Sequence, residues 1–87
     1  MRVLKTKRFL RDFRNLPPPL QARVDAKLAL LANDRTHPSL RVKPFHSAPG
    51  AYEGRVNEQY RFLFTIQSDA YLLLRVGPHD LLDTFSW

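Results

Sequence analysis

The run Tyr52-Glu53-Gly54-Arg55-Val56-Asn57-Glu58-Gln59-Tyr60-Arg61-Phe62-Leu63-Phe64 restricts what this chain can fold into more than any other segment. Its residues alternate with the period of a β-strand on either side of a polar, turn-forming centre. Tyr52, Gly54, Val56, Tyr60, Phe62 and Phe64 share one face; Glu53, Arg55, Arg61 and Leu63 share the other. With Asn57-Glu58-Gln59 as the loop, Val56 pairs with Tyr60 and Arg55 stands opposite Arg61. Like charges directly opposite each other destabilise a sheet. Two guanidiniums held that way suggest an anion between them, and phosphate is the obvious candidate.

The rest of the chain supplies the elements around this hairpin. Met1 to Lys5 alternates weakly, as a short first strand. Thr6 caps a helix whose apolar positions are Phe9, Leu10, Phe13 and Leu16. Pro17-Pro18-Pro19 stops it, and the last of these prolines suits the first turn of a second helix with the stripe Leu20, Val24, Leu28 and Leu31. Asn33-Asp34 and His37-Pro38 end that helix. Leu40 to Phe45 reads as an edge strand interrupted by Pro44, and Ser47-Ala48-Pro49-Gly50 as a turn. Ala51–Val56, Tyr60–Ile66 and Ala70–Val76 then form an antiparallel meander with three-residue connections. Gly77-Pro78 breaks the last strand and leaves His79-Asp80 at its end, before a short apolar tail from Leu81 to Trp87. The expected fold is α+β, one domain over residues 1–87 in the order β-α-α-β-β-β-β. A helical hairpin packs on one face of a twisted, mainly antiparallel sheet.

A loop at Gln67-Ser68-Asp69 pairs Ile66 with Ala70, Phe62 with Leu74, and Arg61 with Arg75. The helix-facing side is then Val56, Phe62, Phe64, Ile66, Leu72, Leu74 and Val76. The open side carries Arg55, Arg61 and Arg75 in a row, with Glu53, Leu63, Thr65, Tyr71 and Leu73 around them. A one-residue slip at either loop moves an arginine to the buried side, where an unpaired guanidinium costs several kcal/mol or more.

Composition narrows the function. At 87 residues with 44% hydrophobic content, one core fits and two do not. There is no cysteine, hence no disulfide framework and no thiolate metal site. The N-terminus lacks the apolar run of a signal peptide, and no segment approaches ~20 apolar residues. A cytoplasmic protein with no membrane segment is expected. The net charge of +6 favours a polyanionic partner: RNA, DNA or an acidic protein.

Arg55, Arg61 and Arg75 are the leading candidates for phosphate contact. The plain alternative is a set of surface arginines paired with Glu53, Glu58 or Asp69, each pair contributing ~0–1 kcal/mol. His79, beside Asp80 at a strand end, can donate or accept a proton near neutral pH. Glu53 shares a face with Arg55 and either accepts a proton or pairs with its neighbour. Arg41 and Lys43, two apart on the preceding strand, extend a positive groove along a nucleic-acid backbone. Phe85 and Trp87 either stack on a base or cover the core edge. His37, His46 and His79 lie on separate loops without ligand spacing, so no metal is expected.

These motifs together resemble the RelE/ParE superfamily of small bacterial toxins from type II toxin–antitoxin systems. The resemblance covers nearly the whole chain: F-L-R-D-F-R-N-L-P, H-P-S-L-R-V-K, Y-E-G-R-V-N-E-Q-Y-R-F-L-F and L-L-R-V-G-P-H-D. The Tyr-Arg-Phe strand followed by a Val-Gly-x-His ending is its specific part. The resemblance implies a RelE-like endoribonuclease that cuts ribosome-bound mRNA without a metal or other cofactor and is held by a cognate antitoxin. It places a basic residue at Arg55, the phosphate-contacting arginine at Arg61 and the acid/base position at His79. A tyrosine common near the family's C-terminus falls on Phe85, and a second basic position falls on Glu53. With those departures the proton transfers pass to Glu53 and His79, or the chain is a weak or non-cleaving relative. The ParE-like branch, which inhibits DNA gyrase, and a domain acting only as antitoxin partner are the alternatives.

Overall fold

The structure is a computed structural model that describes residues 1–82, with the backbone alone at residue 81. Strand β1 (Arg2–Lys5) leads into helices α1 (Lys7–Arg14) and α2 (Pro18–Asn33). A 3₁₀ turn (Pro38–Leu40) precedes β2 (Lys43–Pro44), β3 (Ala51–Arg55), β4 (Tyr60–Ile66), β5 (Ala70–Pro78) and a terminal turn of helix, α3 (His79–Leu82). The strands form one sheet in the order β1-β5-β4-β3-β2, antiparallel except where β1 runs parallel to β5. The expected α+β architecture is the observed one.

Local chemistry sets the helices. The Thr6 hydroxyl accepts from the Phe9 N–H at 3.1 Å and caps α1. Phe9 is fully buried, with Phe13 and Leu16 partly buried against the core. Leu10 was expected on the same stripe but is 40% exposed, one position off the buried face. Helix α2 starts at Pro18, where a missing N–H is harmless, and buries Val24, Leu28 and Leu31. Its stripe meets Val56, Phe62, Phe64, Tyr71, Leu73 and Val76 from the sheet.

The β3–β4 hairpin pairs as expected. Arg55 lies opposite Arg61, and the Val56 N–H donates to the Tyr60 carbonyl at 3.0 Å. Gly54 lies opposite Phe62, and a Cβ on Gly54 would sit 2.2 Å from the Phe62 ring. The aromatic ring therefore needs bare backbone across from it.

Three expectations are corrected. The segment Leu40–Phe45 is not a strand throughout. Leu40 closes the 3₁₀ turn and Arg41 takes a left-handed conformation (φ 46°), which turns the chain and leaves only Lys43 and Pro44 to pair. Gly77-Pro78 does not break β5, because Pro78 still pairs with Tyr60. The β4–β5 register also differs. The Gln67 N–H donates to the Ala70 carbonyl at 2.8 Å, so the turn is the two residues Ser68-Asp69 and Ile66 pairs with Tyr71. That one-residue shift turns Tyr71 and Leu73, rather than Leu72 and Leu74, toward the helices. A bulge then follows: Phe64 pairs with Leu73 and Leu63 with Arg75, leaving Leu74 as the extra residue. The bulge restores the phase, and Val76 rejoins the core opposite Phe62.

Replacing Gly54 with Ala should destabilise the fold by ~1–3 kcal/mol, the usual effect of overpacking. For a domain of this size that lowers Tm by roughly 4–20 °C. Thermal unfolding followed by circular dichroism checks it.

Candidate functional site

On the sheet face away from α1 and α2, Phe45, Ala51, Leu63 and Leu82 form a second, smaller core. Beside it lie two adjoining cavities of about 210 and 180 Å³, both lined by Lys43, Glu53 and Arg61. Phe45, His46, His79 and Leu82 complete the first; Arg41 and Arg55 complete the second.

Glu53 is the hinge of the arrangement. The pairing of β2 with β3 puts it opposite Lys43, and its Oε1 is 3.5 Å from Lys43 Nζ. Its Oε2 is 3.9 Å from Arg61 Nε, with the carboxylate side chain only 13% exposed. Arg61 is further held by donating to the Tyr60 carbonyl at 3.0 Å and to the Asn57 carbonyl. Asn57 fixes that loop in turn, its Oδ1 accepting from the N–H groups of Gln59 (2.9 Å) and Tyr60 (2.8 Å). The Arg61 guanidinium is thus preorganised before any ligand arrives. Arg55 has no acidic partner among the described residues. The anion expected near the opposed arginines is supplied in part by the chain itself, at Glu53.

His79 opens α3 and is half exposed. Its backbone N–H donates to the Gln59 carbonyl at 2.8 Å, tying it to the β3–β4 loop. Its Nδ1 lies 3.0 Å from Asp80 Oδ1. With Nδ1–H donated to that carboxylate, Nε2 is the nitrogen left for proton exchange: an acceptor when the ring is neutral, a donor when it is charged.

Six of the candidate residues, Arg41, Lys43, Glu53, Arg55, Arg61 and His79, therefore surround these two cavities. Arg75 does not join them. It was expected opposite Arg61 but pairs with Leu63, and α1 holds its guanidinium, whose Nε and Nη2 donate to Asp12 at 2.7 and 3.1 Å. Arg41 reaches the second cavity from its left-handed turn, not from a strand. Phe85 and Trp87 lie outside the described residues. Asp69, a possible partner for the arginines, pairs instead with Arg2 at 3.2 Å.

Sequence reasoning missed His46 as a site residue. It follows Phe45, whose N–H pairs with the Ala51 carbonyl at 2.8 Å, so it begins the β2–β3 loop at the cavity rim. The signal was present in the hairpin register, which sets Lys43 opposite Glu53 and brings the next loop residues to the same end. His37 serves elsewhere, its Nδ1 accepting from the Ser39 N–H at 3.2 Å to cap the 3₁₀ turn. Among the described residues no three His, Cys, Asp or Glu side chains converge, and no helix is long and apolar enough to cross a membrane.

No family model matches the chain, and no curated protein matches it. Solved structures do. YafQ from E. coli superposes with a TM-score of 0.78 at 15% identity, over 94% of this chain and 98% of that one. A chain of the RelB–RelE antitoxin–toxin complex from Methanococcus jannaschii gives 0.74 at 20% identity, over 95% and 99%. The YoeB dimer from Staphylococcus aureus gives 0.76 at 12%, over 91% and 97%. The fold is RelE-like. Within this RelE-like sheet, the cluster described above occupies the face that the helical hairpin leaves uncovered.

If Glu53 competes with an incoming phosphate for Arg61 and Lys43, its neutralisation should strengthen anion binding. A Glu53→Gln protein is expected to bind a single-stranded RNA oligonucleotide about tenfold tighter at 0.1 M salt, the effect of ~1.4 kcal/mol. The slope of log affinity against log salt should steepen by roughly 0.7 for each added phosphate contact. Fluorescence anisotropy measures both, and unchanged affinity would remove Glu53 as a competitor.

Proposed function

We propose that this chain is the toxin of a toxin–antitoxin pair, a metal-independent endoribonuclease that cleaves mRNA at the ribosome and so inhibits translation. The observation that carries this reading is that Glu53, Arg61 and His79 line one cavity, with Lys43 at its side. A carboxylate, a guanidinium and an imidazole in one hollow can supply the base, the charge stabilisation and the acid for attack of an RNA 2′-hydroxyl on its own phosphate.

In the proposed reaction the 2′-hydroxyl gives its proton to the Glu53 carboxylate as its oxygen attacks the adjacent phosphorus. The bond from phosphorus to the 5′-oxygen breaks, and protonated His79 gives a proton to that oxygen. The products are a 2′,3′-cyclic phosphate and a 5′-hydroxyl. Arg61 and Arg55 stabilise the charge that builds on the non-bridging oxygens, and Lys43 and Arg41 hold the flanking backbone. Pairing of Glu53 with Lys43 and Arg61 means that an RNA phosphate must replace the carboxylate on Arg61 before Glu53 can act as base.

Structures of the same fold include RelB–RelE and DinJ–YafQ complexes. By that likeness the partner is an antitoxin. An acidic or amphipathic segment that folds on binding suits the basic open face.

Incubation of the protein with RNA, followed by analysis of the product ends, tests the reaction. Cyclic phosphate ends are expected, with no cleavage where the scissile nucleotide lacks its 2′-hydroxyl. His79→Ala should lower kcat by ~10²–10⁴-fold while RNA affinity stays within about threefold; equal loss of both argues against the acid role. Expression in cells separates the gyrase alternative. Cleaved messages support the nuclease, whereas intact messages with DNA breakage would establish the ParE-like reading.

A further inference from the structure

The bulge at Leu74 determines where β5 delivers its last residues. Without it, the pairing that starts at Ile66–Tyr71 would continue as Phe62–Arg75, Arg61–Val76 and Gln59–Pro78. Arg75 would then point into the helix-side core beside Phe62, and Val76 would leave it. The residue opposite Gln59 would be a proline with no N–H to donate. With the bulge, Val76 faces the core, and the His79 N–H meets the Gln59 carbonyl at 2.8 Å. One inserted residue, about 3.3 Å of strand, decides on which face of the sheet the imidazole stands.

Helix α1 holds this bulge from both sides. Strand β1 ends at Lys5, opposite Leu73, so it cannot pair with β5 beyond that point. The Thr6 N–H donates to the Leu73 carbonyl at 3.1 Å, and the Thr6 hydroxyl donates to the Leu74 carbonyl at 3.2 Å. On the far side the Asp12 carboxylate accepts from Arg75 Nε (2.7 Å), Arg75 Nη2 (3.1 Å) and the Val76 backbone N–H (3.2 Å). Asp12 and Arg75 are each only 16% exposed, so the pair is shielded from competing water. The only acidic residue of α1 thus takes the place of a strand neighbour for β5 and draws the arginine out of the core.

We infer that Asp12 is a positioning residue for the proposed RNA-cleavage site: its carboxylate fixes the β5 bulge and thereby sets His79 in the cavity with Glu53 and Arg61. The inference rests on the nuclease reading for its kinetic consequence but not for its structural one. It acts at a distance, from α1 at the edge of β5 beyond the end of β1.

The test uses the full chain and an Asp12→Ala variant, with two readouts. Amide hydrogen exchange is expected to speed up at least tenfold at Val76 and His79, while Phe62 and Phe64 in the central strand retain protection relative to each other. In RNA cleavage, kcat should fall about tenfold or more with KM within twofold. Adding Asp12→Ala to His79→Ala should lower kcat no further, because both losses pass through the imidazole. An Asp12→Asn variant, which keeps an oxygen for the Val76 N–H, should recover part of the exchange protection, and it takes the same readouts if Asp12→Ala does not fold. Unchanged exchange at His79 in a folded variant overturns the inference, as does a further tenfold fall in kcat when Asp12→Ala is added to His79→Ala. If the parent protein cleaves no RNA, the nuclease reading fails, and the exchange readout still decides whether Asp12 sets the position of His79.

Discussion

Phe62 lies against the backbone of Gly54 so closely that no side-chain carbon fits between them. That contact aligns β3 with β4, and the alignment carries the rest. Phe62 and Phe64 go to the helices, Gly54 makes room, and the intervening residues, Glu53, Arg55, Arg61 and Leu63, must face the other way. A strand has period two, so an aromatic facing the helices at one position and a cation facing away from them at the next are a single decision. The chain obtains its candidate functional face as the reverse side of its core.

That reverse side is not simply open. Leu63, Phe45, Ala51 and Leu82 form a second apolar cluster there, and the charged residues stand along its border. Low exposure of Glu53 and Arg61 strengthens their interaction relative to a surface pair, because water and salt screen it less. Two hydrogen bonds to carbonyls hold Arg61 in place independently of Glu53. A phosphate arriving at this site meets a cation already aimed and has a carboxylate to displace. Such a site favours a polyanion that brings several phosphates at once, since neighbouring contacts at Lys43, Arg41 and Arg55 offset the displacement.

Where a pattern in the sequence was strong, its consequence in the structure followed. The alternation on both sides of Asn57 gave the Arg55–Arg61 opposition and the correct faces of β3 and β4. Thr6 and the three prolines marked the helix starts. The register of β5 was not legible, because Ala70-Tyr71-Leu72-Leu73-Leu74 is apolar at every position and offers no alternation to choose between faces. The choice falls instead to a two-residue turn and to Asp12, which is 63 residues away from Arg75 in sequence. Arg75 was accordingly expected beside Arg61 and is found on α1. The short β2 had a similar cause: the left-handed turn at Arg41 left only two residues to pair, although Leu40, Val42 and Phe45 imitate a strand. His46 went unassigned because the cavity also draws on β3, β4 and α3, and because only two residues of β2 pair.

Sheet register gathers Lys43, Glu53, Arg61 and His79 beside one cavity on the face opposite the helices, which we propose binds phosphate. Titration of isotope-labelled protein with a dinucleotide lacking the 2′-hydroxyl, followed by NMR, tests it most directly. Shifts confined to Arg41, Lys43, His46, Glu53, Arg55, Arg61 and His79, and lost in Arg61→Ala, are predicted. Shifts centred on the exposed basic side of α1, with His79 and Arg61 unmoved, would contradict the account.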